Sequence, residues 1–138
     1  MDENIKGLGI ILHSGSFDRI YNGLSIAATA LALEQDVKFF FTYWSLTYLK
    51  KDQPLEIILD EEAEKFRPIL EKAKEKGQIQ EVSKLLSLAK EMGAEVYACS
   101  GSMSLRDIKK EDLIEDVDKI MGLATFLTDI EDYQILFI

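Results

Sequence analysis

Cysteine occurs once in this sequence, at position 99, and is followed directly by Ser100, Gly101, Ser102 and Met103. A thiol acts as a nucleophile only when ionised, so a cysteine becomes chemically interesting where its neighbours favour negative charge. The Ser100 to Met103 run is a turn of small residues, able to turn backbone N–H groups toward a thiolate or an anion. A helix beginning there would add its positive end. The competing reading is a small side chain closing an apolar strand, which is a common fate of unpaired cysteine. Residue types alone leave both readings open.

Histidine also occurs once, at position 13, ahead of Ser14, Gly15 and Ser16. His13 suits two roles: hydrogen bonding to Cys99 or a substrate, or closing the end of a strand with its ring satisfied. Ser14-Gly-Ser16 resembles an anion cradle at a helix start, yet an ordinary helix cap explains it equally. A third cluster, Tyr43-Trp44-Ser-Leu-Thr-Tyr48, follows an aromatic run and offers a lid or a contact surface, with core packing as the alternative. The acidic run Asp60-Glu-Glu62 reads as helix-start charge or solvated surface. One Cys and one His fall short of the usual tetrahedral zinc sets, so neither a metal nor a cofactor is expected. No Walker or dinucleotide glycine pattern is present.

Strands and helices along the whole chain must position these residues. Gly7 to Leu12 is a short apolar run suited to a strand covered on both faces, and from Ser16 the apolar positions Tyr21, Leu24, Ala28 and Leu31 follow helical spacing to about Glu34. Val37 to Tyr43 is dense in aromatic residues and reads as a second strand, parallel to the first. Residues 50–77 combine charge with Pro54 and Pro68 and are read as a helical excursion: a loop, then a short helix started or kinked at Pro68 and stopped at Gly77. A helix is predicted over Gln78 to Met92 with Gly93 as its left-handed stop, then a strand from Ala94 to Cys99. A last helix is expected from Asp116, facing inward through Val117, Ile120, Ala124 and Leu127, before a terminal strand from Tyr133 to Ile138.

The alternation implies one α/β domain over residues 1–138, a three-layer flavodoxin-like fold with a mostly parallel sheet of four or five strands. Ligands of such sheets collect outside the carboxyl ends of the strands. The turns at His13, Trp44 and Cys99 all lie there. In a flavodoxin-like order the first and third strands are neighbours, which would place His13 and Cys99 on one crevice.

Composition narrows the function further. The 138 residues carry a formal charge of −9, which argues against nucleic acid as a partner. An apolar content of 47% with 30% charged residues is that of a globular protein. The longest apolar stretches fall short of the roughly 20 residues a membrane span needs, and the amino terminus lacks a secretory pattern, so a cytoplasmic location is expected.

Four segments together resemble the DsrE/DsrF-like family: Ile-Ile-Leu-His-Ser-Gly, Phe-Phe-Phe-Thr-Tyr-Trp, Tyr-Ala-Cys-Ser-Gly-Ser-Met and Gly-Leu-Ala-Thr-Phe-Leu. Ala98 to Met103 looks like the cysteine loop of its peroxiredoxin-like DsrE branch. The resemblance implies a flavodoxin-like fold, a homo-oligomer, and a cysteine that carries sulfur as a persulfide or thiosulfonate. Cys99 is the position that receives this role, as the catalytic residue. Ser100, Gly101, Ser102 and Met103 would support its thiolate, and His13, Ser14 and Trp44 would shape substrate or anion access. With no second cysteine, onward transfer needs a donor or acceptor protein or a small thiol. The expectation is therefore a sulfur carrier or sulfurtransferase-like protein, the alternative being a non-enzymatic oligomeric binding or assembly module that uses the same crevice.

Overall fold

The computed structural model describes residues 5–138. Five strands, β1 (Gly7–Leu12), β2 (Asp36–Phe41), β3 (Glu95–Cys99), β4 (Lys119–Met121) and β5 (Gln134–Phe137), form an all-parallel sheet in the order β4-β3-β2-β1-β5. The three inner strands are apolar in nearly every position because both faces are covered. Ile10, Leu12, Phe39, Phe41, Val96 and Ala98 point to one face, where α1 (Phe17–Ala32) and α4 (Val82–Glu91) pack. Ile11, Phe40, Tyr97 and Cys99 point to the other, beneath α6 (Leu123–Asp129). Phe126 anchors that helix: it is fully buried and stacks on Phe40 with ring centroids 4.6 Å apart. Lys38 holds the helix's far end through Asp129 at 2.9 Å.

The flavodoxin-like architecture is as expected, but one adjacency is not. β2 lies between β1 and β3, so the first and third strands are not neighbours. With strands about 4.8 Å apart, their backbones are separated by roughly 10 Å. The chain order cannot by itself say which side of β1 each successive strand joins; here β2, β3 and β4 accumulate on one side and β5 closes the other.

The expected last helix also differs. Lys119 to Met121 pairs with β3 as an edge strand, fixed by the Asp118 N–H to the Val96 carbonyl at 2.8 Å and the Val96 N–H to the Asp118 carboxylate at 2.7 Å. Gly122 then caps α6, and the inward residues are Phe126 and Ile130, while Ala124 and Leu127 are exposed. Helical spacing of Val117, Ile120 and Ala124 was coincidental with this edge pairing. Asp116 caps nothing and accepts the Ser87 hydroxyl instead.

Residues 50–77 contain two helices, α2 (Glu61–Glu64) and α3 (Arg67–Glu75), rather than one. Asp60 caps α2 by accepting the Ala63 N–H, and Pro68 sits in the first turn of α3, where its missing donor costs nothing. Gly77 and Gly93 adopt the left-handed conformations expected of helix stops. The remaining differences are at element ends: α1 stops at Ala32, and α4 starts at Val82, because the Gln80 N–H turns to the Tyr21 hydroxyl.

Candidate functional site

β3 runs straight into α5 (Ser100–Leu105), with Cys99 as the residue between them, at the N-cap position. Its alternation along the strand sends the side chain to the α6 face, where only 8% of the residue is exposed. The neighbouring strand supplies Thr42, the residue after Phe41, whose register partner is Ala98. Thr42 therefore stands beside Cys99 on the same face. Its hydroxyl lies 2.8 Å from that of Ser102, both side chains being buried.

Four polar groups converge on the sulfur. Burial pushes the thiol pKa up, but the Ser102 hydroxyl and N–H, the Thr42 hydroxyl and the Gly101 N–H outweigh it and hold Cys99 below the ordinary thiol value. Cys99 makes no side-chain cap hydrogen bond to α5, as sulfur is a weak and bulky acceptor. Because the two hydroxyls share a hydrogen bond, one of their two protons is left for the sulfur. The combined effect of the four groups is to favour the anion. Met103 is buried behind them and packs into the opposite core, while Ser100 and Gly101 remain exposed at the rim. Gly122 faces Ser100 across that rim, a side chain at 122 meeting the Ser100 hydroxyl at 3.8 Å.

The other predicted site residues gather one strand further along. Trp44 donates its backbone N–H to the His13 carbonyl at 3.2 Å, and the His13 ring packs on Tyr43 and Phe137 at centroid distances of 4.8 and 5.8 Å. Trp44 is half exposed. Ser14 accepts the Ser16 N–H, and Ser16 donates to Asp18 while accepting the Asp60 N–H. Ser16 stands at the N-cap of α1 without a side-chain cap hydrogen bond, and the turn is tied to residues 50–77 instead. The structure thus forms two clusters, Cys99 with Ser102 and Thr42, and His13 with Tyr43 and Trp44, joined by the Thr42–Tyr43 peptide. Thr42 escaped the sequence reading because its importance depends on β2 adjoining β3.

Among the described residues, no group of three or more His, Cys, Asp or Glu side chains is placed to hold a metal ion, and no helix is long and apolar enough to cross a membrane. A cavity of about 300 Å³ lies away from the thiol, between residues 53–58 and the first turn of α4.

A flavodoxin-like α/β protein with its cysteine at the carboxyl end of an inner parallel strand is the class that fold and site define. Its sequence matches the DsrE/DsrF/DrsH-like family over residues 4–77 and 55–138, and the chain belongs to that family. The two matches overlap within the excursion. YrkE of Bacillus subtilis (strain 168), an uncharacterised protein, is 26% identical over the full length of both chains. The sulfur carrier protein DsrE2 of Allochromatium vinosum is 30% identical across 88% of this chain and 90% of its own. Among solved structures, the YchN protein from E. coli superposes with a TM-score of 0.70 at 16% identity, covering 97% of this chain and all of that one. MTH1491 from Methanobacterium thermoautotrophicum, of unknown function, gives 0.64 at 15% identity, with coverage of 95% and 97%.

Proposed function

We propose that this protein is a sulfur carrier in which Cys99 accepts and passes on sulfane sulfur. The family and the DsrE2 relative support a sulfur-related role; the observation that carries the reading to Cys99 is its position between β3 and α5, beside the buried Thr42–Ser102 hydroxyl pair. With a persulfide donor, the thiolate attacks the outer sulfur, the new S–S bond forms as the donor's breaks, and the donor leaves as a thiolate. Cys99 then bears a persulfide, the sulfane sulfur having changed partner with no net oxidation. With tetrathionate, attack on an inner sulfur leaves Cys99 as a thiosulfonate and expels thiosulfate. An acceptor thiolate reverses the first step by attacking the outer sulfur, which returns Cys99 as its thiolate. The same donors that stabilise that thiolate stabilise the negative charge at both stages. His13, Ser14 and Trp44 border the approach, and the acceptor is a partner protein or a small thiol.

A second reading, an oligomeric binding or assembly module, is favoured by one observation. Ile135 and Phe137 of β5 and Leu123 and Leu127 of α6 are exposed apolar side chains, and the His13 ring packs between Phe137 and Tyr43. In the leading reading this surface joins copies of the chain and borders the thiol.

Intact mass after incubation with a persulfide, thiosulfate or tetrathionate separates the two. A carrier gains a sulfur or thiosulfonate adduct that Cys99→Ser abolishes. No Cys99-dependent adduct with any of these donors would refute the carrier reading, and ligand or partner binding unaffected by Cys99 alkylation would support the module.

A further inference from the structure

The two polar arms that reach the sulfur come from different elements, and Arg106 is the side chain that joins them. Arg106 ends α5, and Asp107 follows in the left-handed region at φ 54°. The N–H groups of Asp107 and Ile108 return to the Ser104 and Met103 carbonyls, and Ile108 is buried, so this helix end is firmly closed. From there the guanidinium reaches the Tyr43–Leu49 turn. Nη1 donates to the Tyr43 carbonyl at 3.0 Å and to the Trp44 carbonyl at 3.5 Å. Nη2 donates to the Thr47 hydroxyl at 2.9 Å, and the group lies 5.9 Å from the Trp44 ring centroid.

Tyr43 itself has a φ of 48°, which a bulky L-residue seldom adopts unless its surroundings hold it. Ser45 holds the turn from the sheet side, accepting the Thr42 N–H and donating to the Leu12 carbonyl. Arg106 holds it from the α5 side. Thr42, adjacent to Tyr43, and Ser102, inside α5, meet at 2.8 Å between these two attachments.

We propose that Arg106 is a positioning residue for the Cys99 thiol: by fastening the Tyr43–Leu49 turn to α5, it keeps the Thr42–Ser102 hydroxyl pair together beside the sulfur. The proposal rests on Cys99 being the reactive group and adds a residue that touches neither the sulfur nor its donor. A planar fork engaging two carbonyls and a hydroxyl is a task for which lysine is a poor replacement. The cluster around the sulfur draws Phe40 from β2 and Thr42 just past its end, Gly101 and Ser102 from α5, Met121 from β4, Phe126 and Ile130 from α6 and its end, and Tyr97 and Tyr133. Burial pushes both tyrosines above their ordinary values, so they stay neutral while the thiol titrates.

The test is the pH profile of Cys99 alkylation by iodoacetamide in wild type, Arg106→Ala, Arg106→Lys, Thr42→Val and the Thr42→Val/Arg106→Ala double variant, with circular dichroism and a thermal melt on each. Arg106→Ala is expected to move the profile to higher pH and to slow alkylation below the ordinary thiol pKa by roughly threefold to tenfold. Arg106→Lys recovers part of this loss. In the Thr42→Val background, removing Arg106 adds no further shift, because its effect passes through Thr42. A folded Arg106→Ala protein with an unmoved profile overturns the proposal, as does a full additional shift in the double variant. Should Arg106→Ala fail to fold, Thr47→Val removes one acceptor alone; a smaller upward shift supports the proposal and an unmoved profile overturns it. Alkylation reports on the thiol whether or not sulfur is carried, so failure of the carrier reading shows separately, as the absence of a wild-type adduct.

Discussion

Two strand-to-helix turns at the carboxyl edge of the sheet contain similar residues and use them differently. After β1, Ser14 and Ser16 are occupied with the backbone and with Asp18, and the Tyr48 hydroxyl donates to the Gly15 carbonyl at 2.7 Å. The polar groups there are taken up by one another, by Asp18 or by residues 50–77, although Ser16 makes no side-chain cap hydrogen bond to α1. After β3, the N-cap position is given to Cys99, a poorer cap than serine, and α5 extends only six residues. The polar groups of Ser102, Thr42 and Gly101 face a sulfur instead. A turn that satisfies itself is structural, and a turn that sets polar groups around a thiol is where the proposed chemistry would be found.

Substitutions in each turn sharpen this contrast, ordered by their effect on the thiol. Ser102→Ala removes a hydroxyl beside the sulfur and its contact with Thr42. Alkylation of Cys99 near neutral pH should slow by about tenfold, the worth of a hydrogen bond to a charged group, with a stability loss of about 1 kcal/mol. The pH dependence of stability has a fixed sign here. A thiol depressed on folding contributes stability above the unfolded thiol's pKa and loses it as pH falls through the folded value. Wild type should therefore gain on Cys99→Ala as pH rises across that interval, and Ser102→Ala should reduce the gain; a chemical denaturation series over pH measures both. Ser16→Ala, in the other turn, should cost about 1–2 kcal/mol through its lost contacts with Asp18 and the Asp60 N–H, yet leave the alkylation profile unmoved. A shift in that profile would erase the distinction between the turns.

The fold was readable because its signals are local. Gly7 to Leu12 and Ala94 to Cys99 are largely apolar runs of strand length, Pro68 and Gly93 mark helix boundaries, and the β-α alternation implies a parallel sheet. What could not be read was order across the sheet. Placing Cys99 at a strand end needed only its own neighbourhood, whereas pairing it with His13 required β1 and β3 to touch, and β2 intervenes. Thr42 and Arg106 stayed hidden for the same reason: their spacings from Cys99 along the chain carry no period, and their roles depend on β2 adjoining β3 and on α5 facing the Tyr43–Leu49 turn. The short β4 was masked by a helical pattern because three residues are too few to declare a strand against a longer amphipathic run.

Whether the buried end of β3 holds a thiolate is measured directly by the pH profile of iodoacetamide alkylation of the folded wild-type protein. The expected result is a single ionisation below the ordinary thiol value, lost on unfolding. A profile at or above that value, or alkylation only once the protein unfolds, would contradict it and leave Cys99 as packing at the end of a strand.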